Sequence, residues 1–307
     1  MTTDHKYRLV IDNITKRYDN QAVVEDLTFA VEPGRITGFL GPNGSGKSTT
    51  MKVLLDLAAA DSGTANIGGC RYRDLSDPAG TVGVVLEPNA FHPGRSGRNH
   101  LRILAQATNQ PLGRVDETLA AVGLRPEAAH RRVGTYSLGM KQRLSLAGAL
   151  LTDPPVLVLD EPANGLDPQG IRELRELLRV RASRGHTVLV SSHLLTEVEH
   201  LVDDVVVIDG GRLVTAGTIA ELTASSARVR TPSPQVLSQH LTTAGARIET
   251  AGPDTLLVTG LDLDQIGDTA LAAGIALHEL SAQAGSLEDV FFALTTPTDN
   301  AQKGFPS

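Results

Sequence analysis

Short apolar runs alternate with segments of helical periodicity over the first two-thirds of the chain. Four of the runs, RITGFLG, VLVLDEP, TVLVSSH and DVVVIDGGRL, are rich in aliphatic and β-branched residues and predict buried strands. Helical periodicity dominates between roughly Arg98 and Leu151, where the first predicted helix has one face formed by Leu101, Leu104, Ala105 and Thr108. The pattern predicts an α/β core with a largely parallel sheet and a helical lobe at about residues 89–151.

The pattern changes near Ala224, where the sequence ASSARVRTPSP gathers small residues and prolines. We therefore expect a first domain over residues 1–222, followed at 223–232 by a linker and the first strand of a second domain. The remainder predicts strands at RVR, ARIET, TLLVT and IALHEL, and helices at Gln235–Ala244 and Asp262–Ala273. The resulting order, β-α-β-β-α-β, is that of a small ferredoxin-like α+β domain, which we expect over residues 227–296.

One more helical pattern lies near the end of the chain. Ser286 is followed three residues later by Asp289, which is typical of a helix start, and a stripe is formed by Leu287, Val290, Phe291 and Leu294. We expect residues 297–307 to form a flexible tail.

Composition narrows the class of protein. Of the 307 residues, 41% are hydrophobic and 21% are charged, as in ordinary soluble globular proteins. The net charge of -7 argues against a general polyanion-binding surface, so we expect no nucleic-acid partner. The single cysteine, Cys70, excludes an intramolecular disulfide. Because neither a secretory signal nor a run of about eighteen apolar residues occurs, we expect the chain not to span a membrane by itself.

A glycine-rich motif follows the first predicted strand of the core. Gly41-Pro42-Asn43-Gly44-Ser45-Gly46-Lys47-Ser48 fits the pattern G-x-x-x-x-G-K-[ST], and a helix-prone segment beginning with Ser48 and Thr49 follows. In such a loop, backbone N–H groups and the helix N-terminus surround a phosphate. Gly41 to Thr49 are therefore candidate nucleotide-binding residues, with Lys47 reaching the β- and γ-phosphates and Ser48 offering a hydroxyl to Mg²⁺. The alternative is a glycine-rich turn that binds nothing.

Two adjacent carboxylates end the predicted strand VLVLDEP. A parallel strand places such groups at the carboxyl edge of the sheet, where α/β proteins bind their ligands. Asp160 is predicted to hold hydrated Mg²⁺, and Glu161 to polarise an attacking water molecule. The alternative is a strand followed by a solvated acidic turn.

Three further segments carry a family resemblance. Tyr136-Ser137-Leu138-Gly139-Met140, followed by Lys141-Gln142-Arg143, resembles the LSGGQ signature of ATP-binding cassette (ABC) proteins, from which Leu138 and Met140 depart. Ala163-Asn164-Gly165-Leu166-Asp167-Pro168 resembles the D-loop of that family, and Ser191-Ser192-His193 resembles its switch-histidine strand end. By this resemblance residues 1–222 are identified as a P-loop NTPase, an ABC nucleotide-binding domain with a RecA-like core and a helical subdomain.

The resemblance implies an ATPase that binds ATP and Mg²⁺ and acts as a homodimer. Two ATP molecules would be sandwiched between the subunits, with Ser137, Gly139 and Asp167 of one subunit meeting the nucleotide held by the other. Such an arrangement suits a twofold axis. The catalytic residues would be Lys47, Glu161 and His193, the last of which would hydrogen-bond the γ-phosphate and the attacking water.

Two implied site residues have alternative interpretations. Tyr18 occupies the position at which the family places an aromatic ring on the adenine, but it is also consistent with a loop aromatic that caps the core. Glu87 stands where the family normally has a glutamine that binds Mg²⁺, so with Ser48 and Asp160 it completes the implied metal site. Otherwise Glu87 is an exposed loop acid.

The resemblance also implies a membrane partner. The chain would be the ATP-hydrolysing subunit that powers a separate transmembrane permease, which would dock near Phe91 and the helical subdomain unless Phe91 packs under its own loop. The signature, Glu87 and the small C-terminal domain resemble the bacitracin-type, ABC-2 export branch. We therefore expect export of a drug, antibiotic or peptide, a location at the cytoplasmic face of the cell membrane, and a dimerising or regulatory second domain.

The alternative is a soluble non-transport ABC ATPase of the ribosome-acting or DNA-repair type. The former would carry two cassettes and the latter a long heptad insert, and the sequence contains neither feature.

Overall fold

The computed structural model describes residues 6–86, 91–193, 199–223 and 226–283, together with Leu287. The chain divides into two compact units, Met1–Thr218 and Ile219–Ser307. The division lies before the short helix Ile219–Leu222, whereas the sequence pattern predicts a boundary after it.

The first unit contains nine strands among its described residues. They are β1 (Leu9–Tyr18), β2 (Gln21–Val31), β3 (Ile36–Leu40), β4 (Ser62–Ile67), β5 (Val82–Val85), β6 (Val156–Leu159), β7 (Thr187–Ser192), β8 (Asp204–Asp209) and β9 (Arg212–Thr218).

The helices of the first unit lie between these strands. They are α1 (Lys47–Leu54), α2 (Pro78–Thr81), α3 (Gly97–Ala107), α4 (Gly113–Ala121), α5 (Pro126–Ala129), α6 (Leu138–Leu150) and α7 (Pro168–Ser183), with short 3₁₀ turns at Tyr72–Asp74 and Val133–Thr135.

A six-stranded sheet in the order β5-β6-β7-β3-β8-β9 forms the core of the first unit. All neighbours in it are parallel except β9, which runs antiparallel to β8. Every residue of β3, β6 and β7 is buried, as expected for parallel strands covered on both faces. The predicted α/β class and the four predicted strand runs are confirmed, the last run forming β8 and the start of β9.

The second sheet of this unit is antiparallel and has the order β2-β1-β4. Its pairing contains several register shifts, so the alternation of apolar and polar residues along β1 is irregular. For this reason periodicity alone did not predict it. In this sheet β2 passes beside the start of α1, because the Val23 carbonyl lies against Gly46.

Helices α3 to α6 occupy the segment in which the sequence predicts a helical lobe. Leu101 and Ala105 of α3 are buried as predicted, and the Ser96 hydroxyl caps the helix by accepting a hydrogen bond from the Asn99 N–H. Helix α6 begins at Leu138, two residues before the predicted Met140, because the Ser137 hydroxyl accepts the Met140 N–H and serves as the N-cap.

The second unit has an antiparallel sheet with two longer helices and, at its start, one short helix among its described residues. Its described elements are α8 (Ile219–Leu222), β10 (Ser226–Arg230), α9 (Pro234–Thr243), β11 (Arg247–Thr250), β12 (Thr255–Thr259), α10 (Leu263–Ala272) and β13 (Glu279–Gln283). The sheet order is β11-β12-β10-β13. A separate core in this unit includes Val229, Leu237, Val258 and Ile266.

The last strand of the second unit begins later than predicted. The run IALHEL predicts a strand from Ile275, but β13 starts at Glu279, where it pairs with Arg230 of β10. The preceding residues instead form a connection held by the Thr231 hydroxyl, which donates to the Ala276 carbonyl. Pairing with β10, rather than hydrophobicity, therefore sets the start of the strand.

Two predictions concern the C-terminal end of the chain, most of which the structure does not describe. The helix expected from Ser286 and the tail expected at 297–307 lie outside the described residues, apart from Leu287, which is helical and buried. Within the part of the chain that the structure describes, no helix combines the length and apolarity needed to cross a bilayer.

Candidate functional site

The predicted site residues converge at the carboxyl edge of the parallel sheet. Strands β6, β7 and β3 are adjacent, with Leu159 paired to Val190 and Leu40 paired to Ser192. The glycine-rich loop follows β3 and the carboxylate pair follows β6, while the serine-histidine segment ends β7. Three segments that are distant in sequence therefore share one edge.

The glycine-rich loop is shaped for close approach of a ligand to the backbone. Its exposed tip is formed by Pro42, Asn43 and Gly44, whereas Ser45, Gly46 and Lys47 are buried. Gly46 precedes α1 with a left-handed backbone, φ 102°, and a Cβ there would lie 2.7 Å from the Val23 carbonyl oxygen. The N–H groups of the first turn of α1, which includes Ser48 and Thr49, lack partners within the helix and suit an anion.

The Lys47 side chain turns back into the loop. Its Nζ donates to the carbonyl oxygens of Gly41 and Pro42 at 2.6 and 3.1 Å. Burial lowers the pKa of this amine, while the charges of Glu161 and Asp160 act in the opposite direction. The lysine therefore lies within the electrostatic reach of both carboxylates.

Asp160 links the loop to the neighbouring strands. The Ser48 hydroxyl donates to its Oδ2 at 2.6 Å, and the Ser191 hydroxyl donates to its Oδ1. The Asp160 N–H donates to the Val85 carbonyl of β5 at 2.7 Å. The carboxylate is buried and held in one orientation, beside a hydroxyl of the type that Mg²⁺ accepts as a ligand.

Glu161 and His193 lie side by side. The distance between His193 Nδ1 and Glu161 Oε2 is 2.8 Å, and both side chains are partly exposed. Glu161 adopts a left-handed backbone, φ 49°, which costs a non-glycine residue about 1 kcal/mol or more. A carboxylate and an imidazole in this arrangement can hold a proton between them at the open side of the site.

The donor set fits a phosphate with Mg²⁺. The Ser45 hydroxyl oxygen is buried inside the loop without a hydrogen-bond partner among the described residues. Ser48 and Asp160 could offer two oxygen ligands, and no group of three or more His, Cys, Asp or Glu residues gathers in the described ranges. Mg²⁺ is usually bound by one or two carboxylates together with substrate phosphates, so this sparse set is adequate.

The signature-like segment packs against the D-loop-like segment of the same chain. Ser137 and Leu138 are exposed at the N-terminus of α6. A Cβ on Gly139 would lie 2.5 Å from the Gly165 carbonyl oxygen, and a Cβ on Gly165 would lie 2.6 Å from Leu138 Cγ. Asp167 caps α7 because its Oδ1 accepts the Gly170 N–H at 2.9 Å.

Of the two site residues with alternative interpretations, Tyr18 is described by the structure and Glu87 is not. The Tyr18 ring ends β1 and is 47% exposed, with Lys16 Nζ 5.0 Å from its centroid, so it does not cap the core. Glu87 lies outside the described residues, whose nearest member is Leu86.

Phe91 lies beside a groove of about 330 Å³ between β5 and helices α3 and α6. Its ring is partly buried and meets the His100 ring edge to face, with the centroids 4.9 Å apart. Burial lowers the pKa of His100, and the nearby Arg95 adds to that effect. The floor of the groove is largely apolar, although the buried Ser145 hydroxyl has no partner among the described residues.

Three further side chains have contacts that the sequence pattern does not predict. Ser191 holds both Asp160 and the Glu161 N–H, and Gln142 donates to the Glu161 carbonyl. Arg143 donates to the Val122 carbonyl and to the Glu173 carboxylate, which lowers the pKa of Glu173. For Gln142 and Arg143 the sequence did contain a signal, because the polar triplet KQR lies on a helix whose other residues are mostly apolar.

Two family profiles match parts of the chain, and a relative matches nearly all of it. Residues 24–164 match a family profile described as "ABC transporter", and residues 225–288 match one described as a domain of unknown function. The ABC transporter ATP-binding protein YhcH of Bacillus subtilis is 34% identical over 94% of this chain and 96% of its own length.

Two other relatives carry names that include a transported molecule. The Nod factor export ATP-binding protein I of Burkholderia orbicola is 35% identical over 92% of this chain and 95% of its own. The bacitracin transport ATP-binding protein BcrA of Bacillus licheniformis is 42% identical over 66% of this chain and 67% of its own. A solved ATP binding subunit of an ABC transporter superposes with a TM-score of 0.64 at 29% identity, covering 70% of this chain and 91% of that one.

Proposed function

The chain belongs to the family of ABC transporter ATP-binding proteins, and we propose that it powers export of a drug, antibiotic or peptide through a separate transmembrane permease. As a member of this family it binds nucleotide and hydrolyses ATP, coupled to transport. The observation that carries the site assignment is the convergence of Lys47, Asp160 and Glu161 with His193 at one sheet edge.

ATP binds through its phosphates to Gly41–Thr49 in this proposal. The orphan Ser45 hydroxyl, the loop N–H groups and the first turn of α1 surround the β- and γ-phosphates, and Lys47 neutralises their charge. Tyr18 stacks on the adenine, which its exposure permits and which its place on the β1-β2 hairpin beside Gly46 supports.

Ser48 and Asp160 hold Mg²⁺ in this proposal, joined by Glu87. The metal would neutralise charge on the phosphates, and the proposal is supported by the Ser48 hydroxyl and the Asp160 carboxylate meeting at 2.6 Å, which puts both oxygens in one place. Ser191 keeps Asp160 oriented by donating to the oxygen that Ser48 does not use.

Glu161 accepts a proton from the water that attacks the γ-phosphate. His193 lies within hydrogen-bond distance of the Glu161 carboxylate and, in this proposal, contacts the γ-phosphate and that water. The carboxylate and the imidazole thus orient the nucleophile from one side, while Lys47 offsets negative charge from the other.

A second copy of the chain completes the site. The N-terminus of α6, where Ser137 is exposed and Gly139 is partly exposed, offers the N–H groups of a helix start to an anion from outside the chain in this proposal. In a twofold homodimer it meets the γ-phosphate held by the partner, with Asp167 nearby. Two ATP molecules are therefore sandwiched between the subunits.

The groove beside Phe91 is where the permease docks in this proposal. Its volume of about 330 Å³ and its apolar floor suit a short helical segment of a membrane partner. Docking at the helical subdomain, residues 89–151, would place the chain at the cytoplasmic face of the cell membrane. An ABC-2-type permease is the class we infer.

Relatives support the export assignment. One matches nearly the whole chain and is named for export of Nod factor, and another is named for transport of bacitracin. A non-transport ABC ATPase of the ribosome-acting or DNA-repair type is not favoured, and we propose no nucleic-acid partner.

We propose that residues 1–222 form the ATP-binding domain and 227–296 a ferredoxin-like accessory domain that aids dimerisation or regulation, followed by a tail at 297–307.

The test uses the full chain with Glu161→Gln. We expect ATP turnover to fall by about a hundredfold or more, because a general base contributes that much, and we expect an ATP-bound dimer to accumulate in light scattering. Lys47→Ala is the control, since it should remove both the dimer and the thermal stabilisation by Mg-ATP. Unchanged turnover in Glu161→Gln would contradict the proposed mechanism.

A further inference from the structure

The backbone of Glu161 is held in an unfavourable conformation. Its φ of 49° lies in the left-handed region, which residues other than glycine seldom adopt. Pro162 follows directly and restricts this backbone further. Such a conformation persists only where surrounding contacts determine it. The direction of the Glu161 carboxylate therefore depends on whatever holds this residue.

Two fully buried side chains hold the two backbone polar groups of Glu161. The Ser191 hydroxyl oxygen accepts the Glu161 N–H at 2.9 Å. The Gln142 amide nitrogen donates to the Glu161 carbonyl at 3.4 Å, which also accepts the Asn164 N–H at 3.2 Å. Ser191 belongs to the same sheet, whereas Gln142 comes from α6.

The orientation of the Gln142 amide is determined by this contact. The side chain has 0% exposure, and its Oε1 has no hydrogen-bond partner among the described residues. Rotating the amide would turn that oxygen toward the Glu161 carbonyl oxygen, and the two acceptors would repel each other. Burying a glutamine here is unfavourable unless the bond to Glu161 is made.

Helix α6 places Gln142 five positions after Ser137, the N-cap residue, which lies within the signature-like segment. The same rigid helix thus contacts Gly165 at its start and Glu161 one turn later. A shift of the helix N-terminus would be transmitted to the Glu161 carbonyl through this amide.

We propose that Gln142 is a positioning residue that fixes the Glu161 backbone, and through it aims the carboxylate at the attacking water. Gln142 thereby links Glu161, the proton acceptor at the ATP held by its own subunit, to helix α6. The N-terminus of α6 meets the ATP held by the partner subunit. The inference rests on the proposed function, since it presumes that Glu161 is that acceptor.

The experiment replaces Gln142 by Met in the full chain, because methionine keeps the length and apolar volume but removes the donor. We expect kcat for Mg-ATP to fall about tenfold, the usual effect of losing one hydrogen bond, with KM changed less than about twofold. Nucleotide-induced thermal stabilisation should be retained. Leu146→Val on the same helix is the matched packing control, for which kcat should stay within about twofold of the unmodified chain.

A second arm tests whether Gln142 acts through Glu161. In a Glu161→Gln background, adding Gln142→Met should lower turnover no further, because the group being positioned is gone. An unchanged kcat in Gln142→Met, or a further tenfold loss in the double variant, would overturn the positioning role. If Gln142→Met does not fold, Gln142→Asn, which withdraws the amide by one methylene, is judged by the same two criteria.

The two proposals fail differently. Normal turnover in Glu161→Gln would refute the proposed function itself. Loss of turnover in Glu161→Gln together with normal turnover in Gln142→Met would refute only the positioning role.

Discussion

Gly44 and Gly46 in the glycine-rich loop share a left-handed backbone but differ in the space around them. Their φ angles are 82° and 102°. A Cβ on Gly44 would meet nothing within 4 Å, whereas one on Gly46 would lie 2.7 Å from the Val23 carbonyl oxygen and 3.1 Å from Val24 Cγ2. Alanine at either position introduces backbone strain, but only at position 46 does the new methyl also overlap the backbone of β2.

The expected losses of folding stability follow from backbone strain and, at position 46, from steric overlap. Left-handed alanine costs about 1–2 kcal/mol, offset by about 0.4–1 kcal/mol from the stiffer unfolded chain, so Gly44→Ala should lower the free energy of unfolding by about 1 kcal/mol. Gly46→Ala adds an overlap of about 1–3 kcal/mol and should cost about 3 kcal/mol in total. The difference, about 2 kcal/mol, corresponds to roughly 4–8 °C in Tm for a unit of this size.

The assay is urea unfolding of both variants and the unmodified chain without nucleotide, followed by far-UV circular dichroism. Equal m-values are required, so that a change in midpoint reports stability alone. Losses of equal size in the two variants would refute the reasoning, because they would show that φ alone, and not the approach of the Val23 carbonyl, requires glycine at position 46.

Two further predictions concern the cap of α7 and the groove. Asp167→Asn should keep the hydrogen bond from the Gly170 N–H and leave Tm nearly unchanged. Asp167→Ala should lower the free energy of unfolding by about 1 kcal/mol in thermal unfolding, because the cap is lost. Equal losses of stability in the two variants would argue against the cap. Burial and Arg95 lower the pKa of His100, so as the pH falls the unfolded chain takes up a proton at this residue before the folded chain does. The free energy of unfolding should therefore decrease as the pH falls below about 6.5, and His100→Gln should reduce that decrease in urea midpoints; parallel pH curves would contradict it.

Residues whose role depends on local sequence were predictable. The glycine-rich loop could be placed in the fold because β3, Gly41–Gly46 and α1 are consecutive. The carboxylates could be placed because Asp160 and Glu161 directly follow an apolar strand. The parallel sheet then brings Ser48 to within 2.6 Å of Asp160, as expected for strands that end at one edge.

Residues whose role depends on distant contacts were not predictable. A glutamine after the signature-like segment has the polarity of an exposed helix residue, and only tertiary packing buries Gln142 completely. The left-handed backbone of Glu161 leaves no mark in the sequence, because it is imposed by Ser191 and Gln142. The start of β13 at Glu279 was missed because strand pairing, rather than hydrophobicity, determines it.

The contacts of Lys47 with the Gly41 and Pro42 carbonyls have a consequence for how the loop meets an anion. An ammonium group has three N–H donors, and these carbonyls accept from it at 2.6 and 3.1 Å, so the side chain is held inside the loop by its own backbone. Because these contacts fix the ammonium group without help from a ligand, little side-chain freedom is lost when it meets a phosphate. The loop is in this sense a preorganised positive charge.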